Sequence, residues 1–224
     1  MNKALSFIRL DFITVKPYLT VKNLCIFVGV ALIMLIANNS ASGAIGLIMA
    51  SAALYASYPF AIGEKNNIDV LYTTLSINRN TVVLGRYLFA LSLDILAGLS
   101  TFILSFVVLT IMQKDFVVIE VLSAIPILFL VFSVIQSVQL PIYFKLNYTK
   151  AKFIAYIPFV VLPLAIMTGS NFFNNAFSLD KIVGLFEWFT VNPLTTALVV
   201  GAIWLGIMLL SYKVSVSLYQ KRDF

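Results

Sequence analysis

The chain has 224 residues, 61% of them hydrophobic and only 11% charged, with a net charge of +6 and a mean hydropathy of +1.02. That balance excludes a soluble globular domain. A lone cysteine, Cys25, excludes an internal disulfide, and without histidine the usual nitrogen–sulfur zinc sites cannot be built from this chain.

The lead, residues 1–21, mixes apolar and basic residues ("ALSFIRLDFITVKPYL") without a tidy amphipathic wheel. Pro17 is expected to end a short helix lying at the membrane interface, with a disordered tail as the alternative. A basic start before an apolar run and "NNSASGA" has the look of a secretory signal. A polar lead of about 22 residues is long for one, so with Met1 at its start the lead is expected to stay attached.

Six apolar runs follow, roughly 22–40, 44–62, 86–112, 118–143, 153–170 and 194–217. Each reaches or approaches the ~20 residues that cross about 30 Å of hydrocarbon. They nearly exhaust the sequence, so residues 1–224 read as one all-α integral membrane unit with six spans. Lys and Arg are retained on the cytoplasmic side. In this arrangement only Lys114 and Lys181 of the 15 basic residues lie opposite; Lys65, Arg79 and Arg86 follow the second span, and Lys145, Lys150 and Lys152 the fourth. Both termini are therefore expected in the cytoplasm. Topology and anionic headgroups account for the positive charge without a nucleic-acid partner.

In the second span Ser51, Tyr55 and Tyr58 recur at helical spacing, giving one more polar face. They are candidates for a translocation path, with an ordinary helix–helix contact as the alternative. Pro59 is expected to bend the last turn. The third span carries Asp94, a charge that costs about 2.5–3.5 kcal/mol at a helix centre. Ala90, Ala97, Gly98, Thr101 and Ser105 share its sector, and small residues let another backbone come close. Asp94 is thus expected to face protein or a water-filled route, as a packing or gating group or as a substrate ligand.

The fourth span holds Pro126 and a polar row, Ser133, Gln136 and Gln139; the fifth holds Pro158 and Pro163 and is expected to bend. Residues 171–193 are too apolar for an exposed loop and too interrupted to span. With Phe172, Phe173 and Trp188 they read as re-entrant or interface-lying helices at the outer face, where Glu120 and Glu187 also fall.

The loop 63–85 has its own order. Ile68, Leu71, Tyr72 and Leu75 stand at i, i+3, i+4 and i+7, the stripe of a two-turn amphipathic helix. Glu64, Lys65, Asn66 and Asn67 precede it, and "SINRN" ends it before the next helix starts near Thr81. Such a helix either lies flat on lipid or docks in a groove of a soluble partner and passes motion to the two spans that brace it.

The string "GEKNNIDVLYTTLSINRNTVVLGRYL" resembles the loop between spans two and three of type-2 ABC exporter permeases. Glu64, Lys65 and Asn66 match its start, Leu75, Ile77 and Arg79 its turn, and Val83, Leu84, Gly85, Arg86 and Tyr87 its next helix. It departs at Ser76 where Pro is usual, at Asn78 for Ser or Thr, and at Arg86 for Lys. "EWFTVNPL" is similar to the family's approach to the last span. The small size resembles bacterial peptide exporters, including the phenol-soluble modulin exporters of staphylococci.

The resemblance implies a bacterial cell-membrane permease subunit that makes no catalytic contribution of its own and holds no cofactor. No G-x-x-x-x-G-K-[ST] string occurs, so ATP and Mg would be used by a separate ATPase, in two copies, beside a second identical or homologous permease chain. The loop helix would be the coupling helix, contacting the ATPase through Glu64, Lys65, Ile68, Leu71, Tyr72, Leu75 and Arg79, with capping and solvation of the loop as the alternative for Glu64 and Arg79. Lys150, with Lys145, Asn147 and Lys152, would form a secondary contact. An aromatic, cation-poor interior suits an amphipathic peptide or a lipid-like molecule without choosing between them. An autonomous secondary carrier or channel is the alternative, with Asp94 as its intramembrane charge. A membrane enzyme is disfavoured, because the nine carboxylates are scattered.

Overall fold

Four helical stretches are long and apolar enough to cross a membrane: Gly43–Lys65, Arg79–Ile111, Val121–Lys145 and Leu194–Gln220; Cys25–Ile36 is a shorter apolar helix. They belong to a computed structural model that describes residues 3–18, 20–38, 41–74, 77–111, 118–146, 148–161 and 193–222. All regular structure among the described residues is helical. The expected fifth span is described as far as residue 161, and the segment expected to be re-entrant lies outside the described residues.

In chain order the elements are α1 (Lys3–Val15), closed by a 3-10 turn over Lys16–Tyr18, then α2 (Val21–Asn38), α3 (Ala41–Tyr55), α4 (Tyr58–Lys65), α5 (Ile68–Thr74), α6 (Arg79–Ile111) and α7 (Val118–Lys145). Residues 148–161 form α8, and Pro193–Gln220 forms α9. α6 and α7 stand in the middle. α3 packs on both, α2 on α3, and α9 on α7 and α6, while α1 runs along α6. With 33 residues, α6 is about 50 Å long.

The bundle is tightest where small residues meet. Ala90, Asp94, Ala97, Gly98, Thr101 and Ser105 form one buried stripe on α6. A Cβ at Gly98 would stand 3.0 Å from Ile125 Cγ2 of α7 and 3.2 Å from Met49 Cε of α3. Helices surrounded by lipid gain little from the hydrophobic effect, so close packing of this kind and interhelical hydrogen bonds hold them together.

Two local features depart from the expected elements. The bend at Pro59 is a full break: α3 stops at Tyr55, Ala56 and Ser57 form a turn, and Pro59 occupies the first turn of α4, where its missing N–H is no loss. Ser57 Oγ donates to the Leu54 carbonyl at 2.7 Å and steadies the break. The lead, in turn, does have a wheel. Asp11 and Val15 are buried on one face of α1 with Phe7 and Phe12 half-buried beside them, while Arg9, Leu10 and Ile13 are exposed. The wheel is obscured in hydropathy because its inward face carries an acid and its outward face a leucine and an isoleucine.

Between α4 and α5 the chain turns through Asn67, whose φ of 51° lies in the left-handed region. Asparagine tolerates that conformation better than other side chains do. Replacing Asn67 by Val is expected to lower stability by about 1–2 kcal/mol, and by Gly to leave it close to unchanged, in thermal unfolding of the detergent-solubilised protein.

Candidate functional site

α5 has seven residues, too few to hold a helix by themselves, so its shape comes from what grips it. Ile68 and Tyr72 turn inward. Tyr72 is 6% exposed, and its ring meets Phe7 of α1 edge-on at 5.3 Å. Leu71 points the other way, 53% exposed. The predicted stripe is thereby divided, with two residues as anchors and one as surface; Leu75 lies outside the described residues. Phe7 and Leu10 of α1, Leu71 and Tyr72 of α5, and Ile77 line an open apolar groove of about 280 Å³.

Polar contacts tie this segment to distant parts of the chain. Tyr219 of α9 donates its hydroxyl to Asp69 Oδ1 at 3.0 Å, and Arg222 stands 3.8 Å from Asp69 Oδ2. Arg79 Nη1 donates to the carbonyls of Tyr219, Gln220 and Arg222 at 2.8, 2.7 and 3.1 Å. A helix end leaves such carbonyls without intrahelical partners, and a cation there also meets the negative end of the helix dipole. Glu64 does the converse for α8: its Oε2 accepts from the Thr149 N–H at 2.9 Å, at the positive end of that helix. The loops after α4 and α7 are thus joined. Lys65 and Lys150 are exposed.

Beneath α5 lies a pair that sequence reading missed. Arg86 Nη1 donates to Asp11 Oδ1 at 2.7 Å, with side chains 6% and 1% exposed, and its guanidinium lies 5.1 Å from the Phe60 ring centre. Burial pushes the Asp11 carboxyl upward, and the charge and hydrogen bond of Arg86 pull it back. The Tyr72 hydroxyl is likewise raised by burial, opposed by Arg86. Arg86, grouped from sequence with the loop cations, is an interior residue of α6. The available signal was two misplaced opposite charges, an acid in an apolar lead and an arginine inside an apolar helix.

Within the bundle, Asp94 is fully enclosed and accepts at Oδ1 from Gln136 Nε2 at 2.9 Å. The polar row of α7 reaches three neighbours: Gln136 bonds α6, Gln139 Nε2 donates to the Ala155 carbonyl of α8 at 2.8 Å, and Ser133 accepts from Trp204 Nε1 of α9 at 2.7 Å. Each such bond contributes about 0.6–2 kcal/mol in a membrane protein.

The other path candidates lie apart. Ser51 bonds the Ile48 carbonyl of its own helix. Tyr55 and Tyr58 stack edge-to-face at 5.0 Å and meet Phe27 of α2 and Tyr18 of the lead. Asp94 turns toward α7, Tyr55 toward α2 and Tyr58 toward the lead. Among the described residues no cluster of His, Cys, Asp or Glu is fit to hold a metal ion.

The family described as "ABC-2 family transporter protein" matches residues 6–220. The chain belongs to that family. Neither curated proteins nor solved structures gave a significant match. As an ABC-2 membrane subunit it belongs to a family of multi-pass permeases that partner with ABC ATPases and are typically the non-catalytic subunits. The match takes in both α1 and α9, so the lead helix and its buried ion pair lie within the ABC-2 region.

Proposed function

We propose that this ABC-2 subunit is the path-forming permease of an ATP-driven exporter in a bacterial cell membrane. It has six spans with both termini in the cytoplasm, and α5 is its coupling helix. The observation that supports this best is the grip on α5. Ile68 and Tyr72 anchor the helix against α1 and the bundle, and Asp69 and Arg79 bind the segment to the end of α9. Leu71 and the groove beside it are left facing outward. A helix lying passively on lipid does not need attachment to the last span; a lever does. On this reading Leu71, Lys65 and Lys150 meet the ATPase, with Leu75 as a further contact. Glu64, Ile68, Tyr72 and Arg79 transmit the load into α8, α1 and α9.

The working assembly holds two ATPase copies, which bind ATP and Mg, and a second permease chain, identical or homologous. The cargo is an amphipathic peptide or a lipid-like molecule, with Asp94 on one route into the bundle and Ser51, Tyr55 and Tyr58 on a separate face. Extraction of the tagged chain in mild detergent is expected to bring down an ABC ATPase at about one copy per permease chain. Ion-driven uptake by the purified chain alone, with no ATPase co-eluting, would reject the exporter in favour of a carrier.

A further inference from the structure

A groove of about 390 Å³ runs between α6 and α7, with Met49 of α3 at its back. Leu99, Phe102, Ile125 and Phe129 make it apolar, and Asp94 is part of its lining. Leu99 and Leu122 at the rim are exposed on the side of the bundle, so it opens toward the acyl chains. Around Asp94 the hydrogen bonding is incomplete. Asp94 Oδ2 and Gln136 Oε1 are both buried and have no hydrogen-bond partner among the described residues. Both are acceptors, so the group that satisfies them is a donor. The ion pairs described elsewhere, Asp11 with Arg86 and Asp69 with Arg222, leave Asp94 out. A carboxylate in such surroundings calls for a cation or a proton.

We propose that this groove binds an amphiphile with an apolar tail and a protonated amine head. The ammonium donates to Asp94 Oδ2, and the tail lies along Leu99, Phe102 and Phe129. An ammonium carries donors and one positive charge, which meets the orphan acceptor Asp94 Oδ2 and the charge of its carboxylate together. A fatty acid or an alkyl phosphate would set like charge or further acceptors against Asp94, and an alcohol would bring no charge. This deepens the exporter reading, on which it rests for calling the amphiphile cargo. Binding is measured on the permease without its ATPase, so a failure of coupling and a failure of this site are separable.

The test uses the full chain carrying Trp188→Phe in phosphatidylglycerol nanodiscs, which leaves Trp204 as its one indole. The Trp204 ring lies 5.8 Å from that of Phe129 and reports on the groove. The protein is titrated with a nitroxide-labelled alkylamine and with the alcohol of the same chain and label. Saturable quenching by the amine is expected, weakened about tenfold or more by Asp94→Asn and about tenfold or more for the alcohol. Leu99→Phe, which fills the rim, is expected to weaken the amine with Asp94 intact. Equal binding of amine and alcohol by the native groove overturns the proposal without recourse to any Asp94 variant, and so does equal amine binding by Asp94→Asn. The groove would then hold any acyl chain, and Asp94 would be a protonated packing partner of Gln136. Repeating the titration with phosphatidylethanolamine in the disc separates two sources of the ammonium: competition identifies a lipid headgroup, and an unchanged affinity a free amphiphile.

Discussion

Leu71→Asp is expected to leave the melting of the purified permease unchanged, within about 0.5 kcal/mol, while abolishing ATPase co-elution and export. Tyr72→Ala, one residue on, is expected to lower stability by about 3 kcal/mol. The contrast comes from opposite sides of one short helix. Leu71 is more than half exposed at the lip of the apolar groove, and its removal takes nothing from the core. Tyr72 is buried against Phe7, and its loss leaves a void between α1 and α5. An apolar anchor entering a partner's groove carries a large share of binding energy, and a carboxylate there must be desolvated without a counter-charge. Normal export with Leu71→Asp would mean that α5 is not where the ATPase pushes.

Asp11→Ala is expected to destabilise the protein by about 3–5 kcal/mol, because it strands a guanidinium that cannot release its proton. Arg86→Met is expected to cost less. The carboxyl it strands can take up a proton, and burial already pushes Asp11 in that direction. The sign for this variant follows. With Arg86 gone, the folded-state pKa of Asp11 lies above its unfolded value, so Arg86→Met should gain stability as pH falls through that pKa and lose it as pH rises. The double replacement Asp11→Leu with Arg86→Met should recover most of the loss, since well-packed apolar pairs replace buried ion pairs at little net cost. A cycle of detergent melting curves measures the coupling; simple additivity would show that the two charges do not depend on each other.

Periodicity and hydropathy located the helices well, because a bilayer demands length and apolar composition. The expected run 118–143 became Val118–Lys145 and 194–217 became Pro193–Gln220, and α6 began within two residues of the expected Thr81. Partner choice was less legible. The row Ser133, Gln136 and Gln139 is visible in the sequence, but that Gln136 serves Asp94 while Gln139 serves Ala155 depends on where α6 and α8 stand. A stripe such as Ile68, Leu71 and Tyr72 announces an apolar face without saying how far the neighbouring helix covers it. Asp11 drew no separate expectation in the lead, because composition carries no knowledge of Arg86, far along the chain. Arg79, expected at the ATPase or as a cap within the loop, holds the end of α9.

That last attachment bears on how far a push can travel. α9 has 28 residues, a rod of about 42 Å, and its lower tip is hooked by the guanidinium of Arg79. On the coupling proposed above, a swing of that hook would pass along the rod to Trp204, whose indole holds Ser133 of α7. On that reading the last helix links a stroke made at α5 to the middle of the bundle, where α7 stands.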